Sequence, residues 1–244
     1  MAALTQVLDA LGSRDHERLS AALDALSKTD SPVDLAALAE ATYDRMQAGE
    51  LDEWERQQVL SVVAEAPFGA EALVLADLER VRRLLRLAVC DEDWLVRGWA
   101  AEAFTLFADQ DDIATLRDLA LDDPHPWVRS DAIDSLDDLS REALEQVVRQ
   151  ILMRDEEDFY VTTVASVYAL AIGRHDVSLP SGSNLLTEDE VLLIRVMSTL
   201  RYLLLDTPRQ PGLIDSARQL ISSLERSDLP PIVGEECDLL VELV

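Results

Sequence analysis

The chain has 244 residues, and its 48 acidic and 21 basic side chains give it a formal net charge of −27. Such a charge repels nucleic-acid phosphates and anionic lipid headgroups, so binding to DNA, RNA or a membrane surface is disfavoured. With 48% hydrophobic residues and only 8 Gly and 9 Pro, the sequence is typical of a folded protein rather than a disordered one.

The sequence also bears on where the protein is found. A membrane-spanning helix needs about 18 apolar residues, and no apolar run in the sequence is that long. The first residues lack the basic segment of a secretory signal. We therefore expect a soluble, cytoplasmic protein. The two cysteines, Cys90 and Cys237, lack the C-x-x-C spacing of a redox or metal site, and we expect both thiols to be reduced.

The first 69 residues predict helical hairpins. Apolar residues recur at intervals of three and four, and breaks follow near Gly12, Gly49 and Gly69. Ser31, which precedes a proline, is typical of the residue that caps a helix N-terminus. The segment therefore predicts four helices in two pairs.

One long helix is predicted next, over residues 70–88. It carries the one dense basic patch of the sequence, formed by Arg80, Arg82, Arg83 and Arg86. The patch adjoins the most acidic segment, residues 91–158, which holds 20 acidic and 6 basic side chains. Both a salt-bridged surface and a site for an acidic partner fit this patch.

Within residues 84–139 the sequence repeats itself at an interval of 32 residues. The first copy has Leu84, Leu87, Ala88, Asp91, Val96, Arg97, Ala100 and Phe104, and the second has Leu116, Leu119, Ala120, Asp123, Val128, Arg129, Ala132 and Leu136. Each copy predicts an apolar helix, an acidic turn carrying a tryptophan, and a second helix that opens on Val-Arg. Repeated helix pairs of this length are typical of a solenoid, in which each pair buries its apolar stripe against its neighbours.

A third copy follows at an offset of 33 residues. Its matching residues are Met153, Glu156, Val161 and Ala165. The second helices of the three copies are predicted at residues 95–108, 127–139 and 160–172. Thr162 stands where the other copies have arginine.

The pattern Leu-x-x-Leu-Ala, then Asp, then Val-Arg-x-x-Ala-x-x-x-Leu/Phe resembles the HEAT repeat, and the match covers residues 81–172. The resemblance implies an all-α fold, a right-handed αα superhelix of about 12 helices. In that family the turn aspartate and the arginine six residues later form a ladder of hydrogen bonds between neighbouring repeats. The residues that fit this ladder are Asp91 with Arg97 and Asp123 with Arg129. The ladder is expected to end or weaken at Thr162.

The remainder of the chain predicts one break and then more helices. Residues 173–186 are rich in turn formers and are predicted to be an inserted loop. Thr187 and Glu190 resemble a capping box that opens the next helix. We expect a single solenoid domain over residues 1–244, with degenerate hairpins at 1–69, signature repeats at 70–172, the inserted loop at 173–186 and C-terminal helices at 187–244.

No catalytic, cofactor-binding or metal site is predicted. The three histidines, His16, His125 and His175, are far apart in the sequence, and there is no glycine-rich phosphate loop or nucleophile elbow. HEAT-like DNA glycosylases bind duplex along a basic groove, but the equivalent helices here carry acidic residues. We therefore expect a protein that is not an enzyme.

In HEAT-like arrays the second helices line the concave surface that binds partners. With Val96, Ala100 and Phe104 in the core, the residues expected on that surface or at its edge are Trp99, Glu102, Asp131, Asp134 and Asp137. An acidic wall beside an aromatic ring suits a protein with a basic surface. The alternative for Trp99 is packing in a gap between repeats.

Two functions remain open. The first is a non-catalytic binding scaffold, for example a bacterial immunity or inhibitor protein that covers a basic toxin or enzyme. The second is an accessory enzyme similar to the HEAT-like bilin lyases, or a chaperone that holds a ligand in the groove. The aromatic residues at the acidic turns, Trp94, Trp127 and Phe159-Tyr160, either hold consecutive turns together or form a row that binds a partner.

Overall fold

The structure is a computed structural model that describes residues 2–29, 31–155, 157–174, 176–188, 190–206, 211–224 and 229–244. Within these residues the chain is all-α, with fourteen α-helices, one short 3-10 helix and no strand. The helices are α1 (Ala2–Ala10), α2 (His16–Ser27), α3 (Pro32–Ala48), α4 (Glu53–Ala64), α5 (Leu75–Ala88), α6 (Trp94–Phe107), α7 (Asp112–Asp122), α8 (Pro126–Leu139), α9 (Arg141–Ile151), α10 (Phe159–Ala171), α11 (Gly182–Glu188), α12 (Glu190–Asp206), α13 (Pro211–Ser222) and α14 (Pro231–Val241).

The chain divides into two compact units, Met1–Leu144 and Glu145–Val244, and the division falls within α9. In the first unit α2, α4, α6 and α8 each pack against the next, and α1, α3 and α5 do the same. This is the stacking of helix pairs that the repeat predicts. In the second unit α12 packs between α10 and α14, with α11 and α13 beside it. One continuous solenoid over residues 1–244 stays a prediction.

The second helices of the three signature copies form where the sequence predicts them. They are α6, α8 and α10, each within two residues of its predicted bounds. The side chains at the matching second-helix positions of the three copies are fully buried: Val96, Ala100, Phe104, Val128, Ala132, Leu136, Val161 and Ala165. The helical periodicity of apolar residues therefore identifies the core correctly.

The predicted cap of α3 is also confirmed. Ser31 Oγ accepts a hydrogen bond from the Asp34 amide at 3.3 Å, and Pro32 is the first helical residue. At the other end Gly49 has φ +68°, a left-handed conformation that ends the helix. Local sequence therefore determines both ends of α3.

The predicted helix over residues 70–88 is interrupted. A 3-10 turn covers Ala70–Ala72, Leu73 is extended with φ −103° and ψ 142°, and α5 begins at Leu75. Just before the break Gly69 packs closely on α6, since an added Cβ would lie 3.2 Å from the Leu106 carbonyl oxygen. The apolar spacing continues through the break, so it does not reveal where the helix starts.

The predicted loop at residues 173–186 contains the start of a helix. α11 begins at Gly182, and Ser181 Oγ accepts a hydrogen bond from the Asn184 amide at 3.2 Å. The Gly182 amide donates to Ser223 Oγ at 2.7 Å, which joins α11 to the end of α13. This tertiary contact supports a helix where the composition favours turns. Thr187 consequently lies inside α11 and is not an N-cap.

The third copy departs from the pattern at its first helix. Met153, in the place of Ala88 and Ala120, is 76% exposed because α9 ends at Ile151. Glu156, in the place of the turn aspartate, lies outside the described residues.

Candidate functional site

An arginine links the acidic turns of two consecutive repeats. Arg97 Nε and Nη2 donate to the two carboxylate oxygens of Asp123 at 2.7 and 2.9 Å, and Nη1 donates to the carbonyls of Asp91 and Glu92 at 2.9 and 3.1 Å. The hydrogen bonds to Asp123 raise the pKa of the Arg97 guanidinium although burial opposes the rise. Arg97 thus joins the turn of its own repeat to the turn of the next.

The same arrangement extends one repeat toward the N-terminus. Arg56 Nε lies 3.0 Å from Asp91 Oδ2, and Arg56 Nη2 donates to Asp91 Oδ1 at 3.1 Å. On the C-terminal side Arg129 Nη1 donates to the Asp123 carbonyl at 3.0 Å. Each turn aspartate is therefore held by the arginine of the preceding repeat, while its own arginine binds its carbonyl.

The sequence pattern missed Arg56 because the residue before it is glutamate instead of valine. Arg56 is nevertheless the fourth residue of α4, as Arg97 is of α6 and Arg129 is of α8. That register is the signal that could have found it. Glu55, in the position of Val96, is fully buried.

Glu55 has a structural task of its own. Its carboxylate accepts hydrogen bonds from the amides of Gly12 at 2.9 Å, Arg14 at 3.3 Å and Asp52 at 3.1 Å. Arg45 donates to the Leu11 carbonyl in the same α1–α2 turn and to the Leu8 carbonyl near the end of α1. The turn between the first two helices is thus held by the buried Glu55 and the half-buried Arg45, which explains why a glutamate replaces the apolar residue of the pattern.

Aromatic rings at the acidic turns contact one another. The Trp94 ring stacks on His125 with centroids 4.0 Å apart and 10° between the planes, and it meets Trp127 edge to face at 6.0 Å. One repeat earlier, His16 stacks on Trp54 at 4.3 Å and 20°. These contacts match the interpretation that the aromatics hold consecutive turns together, and each stacked histidine was missed by the sequence pattern.

The arginines of α5 are engaged within the protein. Arg80 lies 2.8 Å from Asp77 and 3.4 Å from Glu40, and Arg82 donates to the Phe107 carbonyl at 2.7 Å. Arg86 binds Asp112 at 2.7 Å and Asp109 at 2.9 Å, and Arg83 lies over the Tyr43 ring at 4.3 Å. Of the two alternatives for this basic patch, a salt-bridged surface and a site for an acidic partner, these contacts favour the salt-bridged surface. The arginines attach α5 to neighbouring elements.

The predicted partner-binding residues lie on α6 and α8, which pack side by side. Asp131 lies against α6 at Gly98, where an added Cβ would be 2.9 Å from Asp131 Oδ2. Ser135 Oγ donates to the Ala101 carbonyl at 2.8 Å, and Thr105 Oγ1 donates to Ser135 Oγ at 3.2 Å. This polar seam fixes which sides of the two helices face each other.

The predicted carboxylates can be located relative to this polar seam between α6 and α8. Glu102 follows Gly98 by one helical turn and is exposed, so it borders the seam on α6. Asp131 and Asp134 border it on α8 and are half-buried. Asp137 is half-buried on the far edge of α8. Asp138, which the repeat pattern did not predict as a site residue, is exposed and lies between Asp131 and Asp134 around the helix. We call this surface the acidic face: Glu102, Asp131, Asp134, Asp137 and Asp138.

Trp99 takes a different position from these carboxylates. It is half-buried and, by the helical period, lies on the flank of α6 away from the α8 seam. It borders the acidic face only at its edge, and its burial is what packing between repeats would give.

Charge is unevenly distributed along α6 and α8. Their basic residues are Arg97 and Arg129 alone, and both are bound at the acidic turns. The acidic face carries five carboxylates, and each of them also has an interaction within the protein. Five acidic side chains on two adjacent helices attract a cationic surface.

Three further findings concern the loop around His175, metal binding and membrane crossing. Asp176 pairs with Arg174 at 2.5 Å, and His175 lies outside the described residues. Among the residues that the structure describes, no group of three or more His, Cys, Asp or Glu side chains could hold a metal ion. In the same residues no helix has the length and apolar character needed to cross a membrane.

The comparisons with known proteins agree with the repeat pattern. The family described as HEAT repeats matches residues 68–137, which include α5, α6, α7 and most of α8. The match covers both complete signature copies and the helices that carry the acidic face up to Asp137. No curated protein matches the chain.

Proposed function

Since the chain is a HEAT-like repeat protein, and HEAT repeats generally mediate protein–protein interaction, we propose that its acidic face binds a protein with a basic surface and that the protein has no catalytic activity of its own. A fitting role is that of an immunity or inhibitor protein that covers a basic toxin or enzyme. The observation that carries the proposal is the set of five carboxylates that the adjacent helices α6 and α8 bring to one surface.

The charge of the acidic face favours encounter with a cationic partner. Complementary potentials raise association rates, and the effect weakens as salt shortens the Debye length from about 10 Å at 0.1 M. A rim of carboxylates alone contributes little affinity. Trp99, half-buried at the edge of the face, adds apolar surface beside the carboxylates. Tryptophan is enriched among the residues that contribute most to interface affinity.

The experiment compares two charge-matched variants in capture of partners from the native cell followed by mass spectrometry. The first changes four residues of the acidic face to amides: Glu102, Asp131, Asp134 and Asp137. The control changes four exposed acids outside the face: Glu50, Asp111, Asp118 and Asp122. Both variants lose the same charge, so any difference between them reports position.

We expect the control to keep the partner and the face variant to lose it. With the purified partner, the four changes should raise the Kd about 10- to 100-fold, since each exposed pair contributes roughly 0.2–1 kcal/mol. A titration in rising salt should weaken wild-type binding and affect the face variant less. If the face variant captures every partner as the wild type does, or if both variants lose it equally, the acidic face is not the binding site.

A further inference from the structure

A cavity separate from the acidic face lies at the other end of the first unit. It has a volume of about 260 Å³ and is open to solvent on one side. It is formed where α2 ends, where α3 begins and where the chain leaves α4. Its apolar wall consists of Leu26, Leu35, Val62, Ala66, Pro67 and Phe68.

The polar groups of the cavity leave acceptors facing a ligand. Ser27 Oγ donates to the Asp24 carbonyl at 3.1 Å, and Thr29 Oγ1 donates to the Leu26 carbonyl at 2.7 Å. Because these hydroxyl protons are used within the protein, the oxygens remain as acceptors. Among the described residues that line the cavity, the one charged side chain is Glu65, which is exposed at its rim.

The surrounding helices add to the negative potential. α2 and α4 both end at the cavity, and the C-terminal end of a helix carries a partial negative charge that favours cations. α3 begins there, but its N-terminus is already capped by Ser31, and Pro32 has no amide proton to offer. An anion would therefore find few donors in the cavity, whereas a cation would find several acceptors.

From this geometry we propose that the cavity binds a small apolar cation: an aromatic or branched aliphatic group that carries a primary ammonium. The ammonium lies at Glu65 and the hydroxyl oxygens, and the apolar body lies between Leu35, Val62 and Phe68. At about 30 Å³ for each water-sized group, the cavity of about 260 Å³ holds roughly nine non-hydrogen atoms. 2-Phenylethylammonium has this size and charge.

The test uses two probes of similar size and opposite charge, 2-phenylethylammonium and phenylacetate, titrated into the full ¹⁵N-labelled chain. We expect the cation to shift the amides of Leu35, Val62 and Phe68 with a Kd on the order of 1 mM. The anion should bind at least tenfold more weakly. Shifts confined to the acidic face, or equal binding of both probes, would overturn the proposal.

Two variants locate the site within the chain. Glu65→Gln should weaken the cation about two- to fivefold, as loss of one exposed charge pair predicts, and Glu50→Gln serves as its control. Ala66→Phe should fill the cavity and abolish binding, with circular dichroism to check that the fold is kept. If Ala66→Phe does not fold, the Glu65→Gln result and the comparison of the two probes decide. Unchanged binding in Glu65→Gln overturns the role of the carboxylate.

Discussion

Asp123→Asn tests whether the arginine ladder stabilises the repeat array. The Asp123 side chain is 3% exposed and its partner Arg97 is 11% exposed, so the change leaves a buried guanidinium without its counter-charge. Removal of one partner from a buried ion pair typically costs about 3–5 kcal/mol. Arg97 keeps two backbone carbonyls as acceptors, so we expect the lower end, about 3 kcal/mol.

The assay is denaturant unfolding followed by tryptophan fluorescence. All four tryptophans lie in the unit Met1–Leu144, so the signal reports the unit that contains the ladder. Asp122→Asn is the matched control, because it removes the same charge from the exposed neighbouring residue and should change the free energy of unfolding by less than about 0.5 kcal/mol. If the two variants shift the midpoint equally, the ladder does not stabilise the unit. Replacing the pair together, by Arg97→Met with Asp123→Leu, should recover most of the loss.

Four further variants test other parts of the chain. Glu55→Gln should destabilise the first unit by about 1–3 kcal/mol and speed hydrogen exchange of the α1–α2 turn amides that its carboxylate accepts. Gly182→Ala should destabilise the second unit by about 1–3 kcal/mol, because the new Cβ meets a backbone oxygen of α13. Gly234→Ala, with open space around it in α14, should stabilise the same unit by about 0.5–1 kcal/mol; hydrogen exchange measures both. Burial raises the pKa of Asp52, but hydrogen bonds from the Glu55 amide and the His16 ring lower it more, so the pKa lies below its usual value. The contribution of Asp52 to stability is therefore present above about pH 4 and is lost as the pH falls through the folded-state pKa. Asp52→Asn should reduce this loss, which melting curves taken at a series of acidic pH values measure.

Each of these predictions has a result that contradicts it. Unchanged exchange at the α1–α2 turn in Glu55→Gln would show that the carboxylate does not hold the turn. If Gly182→Ala and Gly234→Ala have the same effect on exchange, the close approach of α11 to α13 is not tight. Identical acid profiles for Asp52→Asn and the wild type would remove Asp52 from the groups that control stability at low pH.

The sequence predicted the helical repeats well, because their core follows from a local pattern. The apolar period and the 32-residue interval identify α6 and α8 and their buried faces. The start of α11 at Gly182 was missed because a hydrogen bond to Ser223, 41 residues away, supports it. No local pattern reports such a contact.

The candidate site was predicted in part for similar reasons. A helical period places Glu102 and Asp134 on one surface, but only the packing at Gly98 and Ser135 shows how α6 and α8 meet. Arg56 was missed because Glu55 breaks the Val-Arg pattern. The glutamate has a role there because its carboxylate accepts a hydrogen bond from the Arg14 amide, 41 residues earlier in the chain. Contacts between distant segments set both features.

The charges at the two ends of α8 are placed against the helix dipole. Arg129 stands in the first turn of the helix, and Asp137 and Asp138 stand in its last turn. The end of a helix carries the opposite partial charge from its beginning, so a cation is favoured in the last turn and an anion is disfavoured by about 0.3–1 kcal/mol. α8 thus carries its arginine and its last carboxylates at the ends where helix stability favours them least. The arginine has a structural reason, since its guanidinium binds the Asp123 carbonyl. Asp137 and Asp138 also have interaction partners within the protein. Partner capture and unfolding, both measured on the four-amide variant, therefore separate recognition from a structural role.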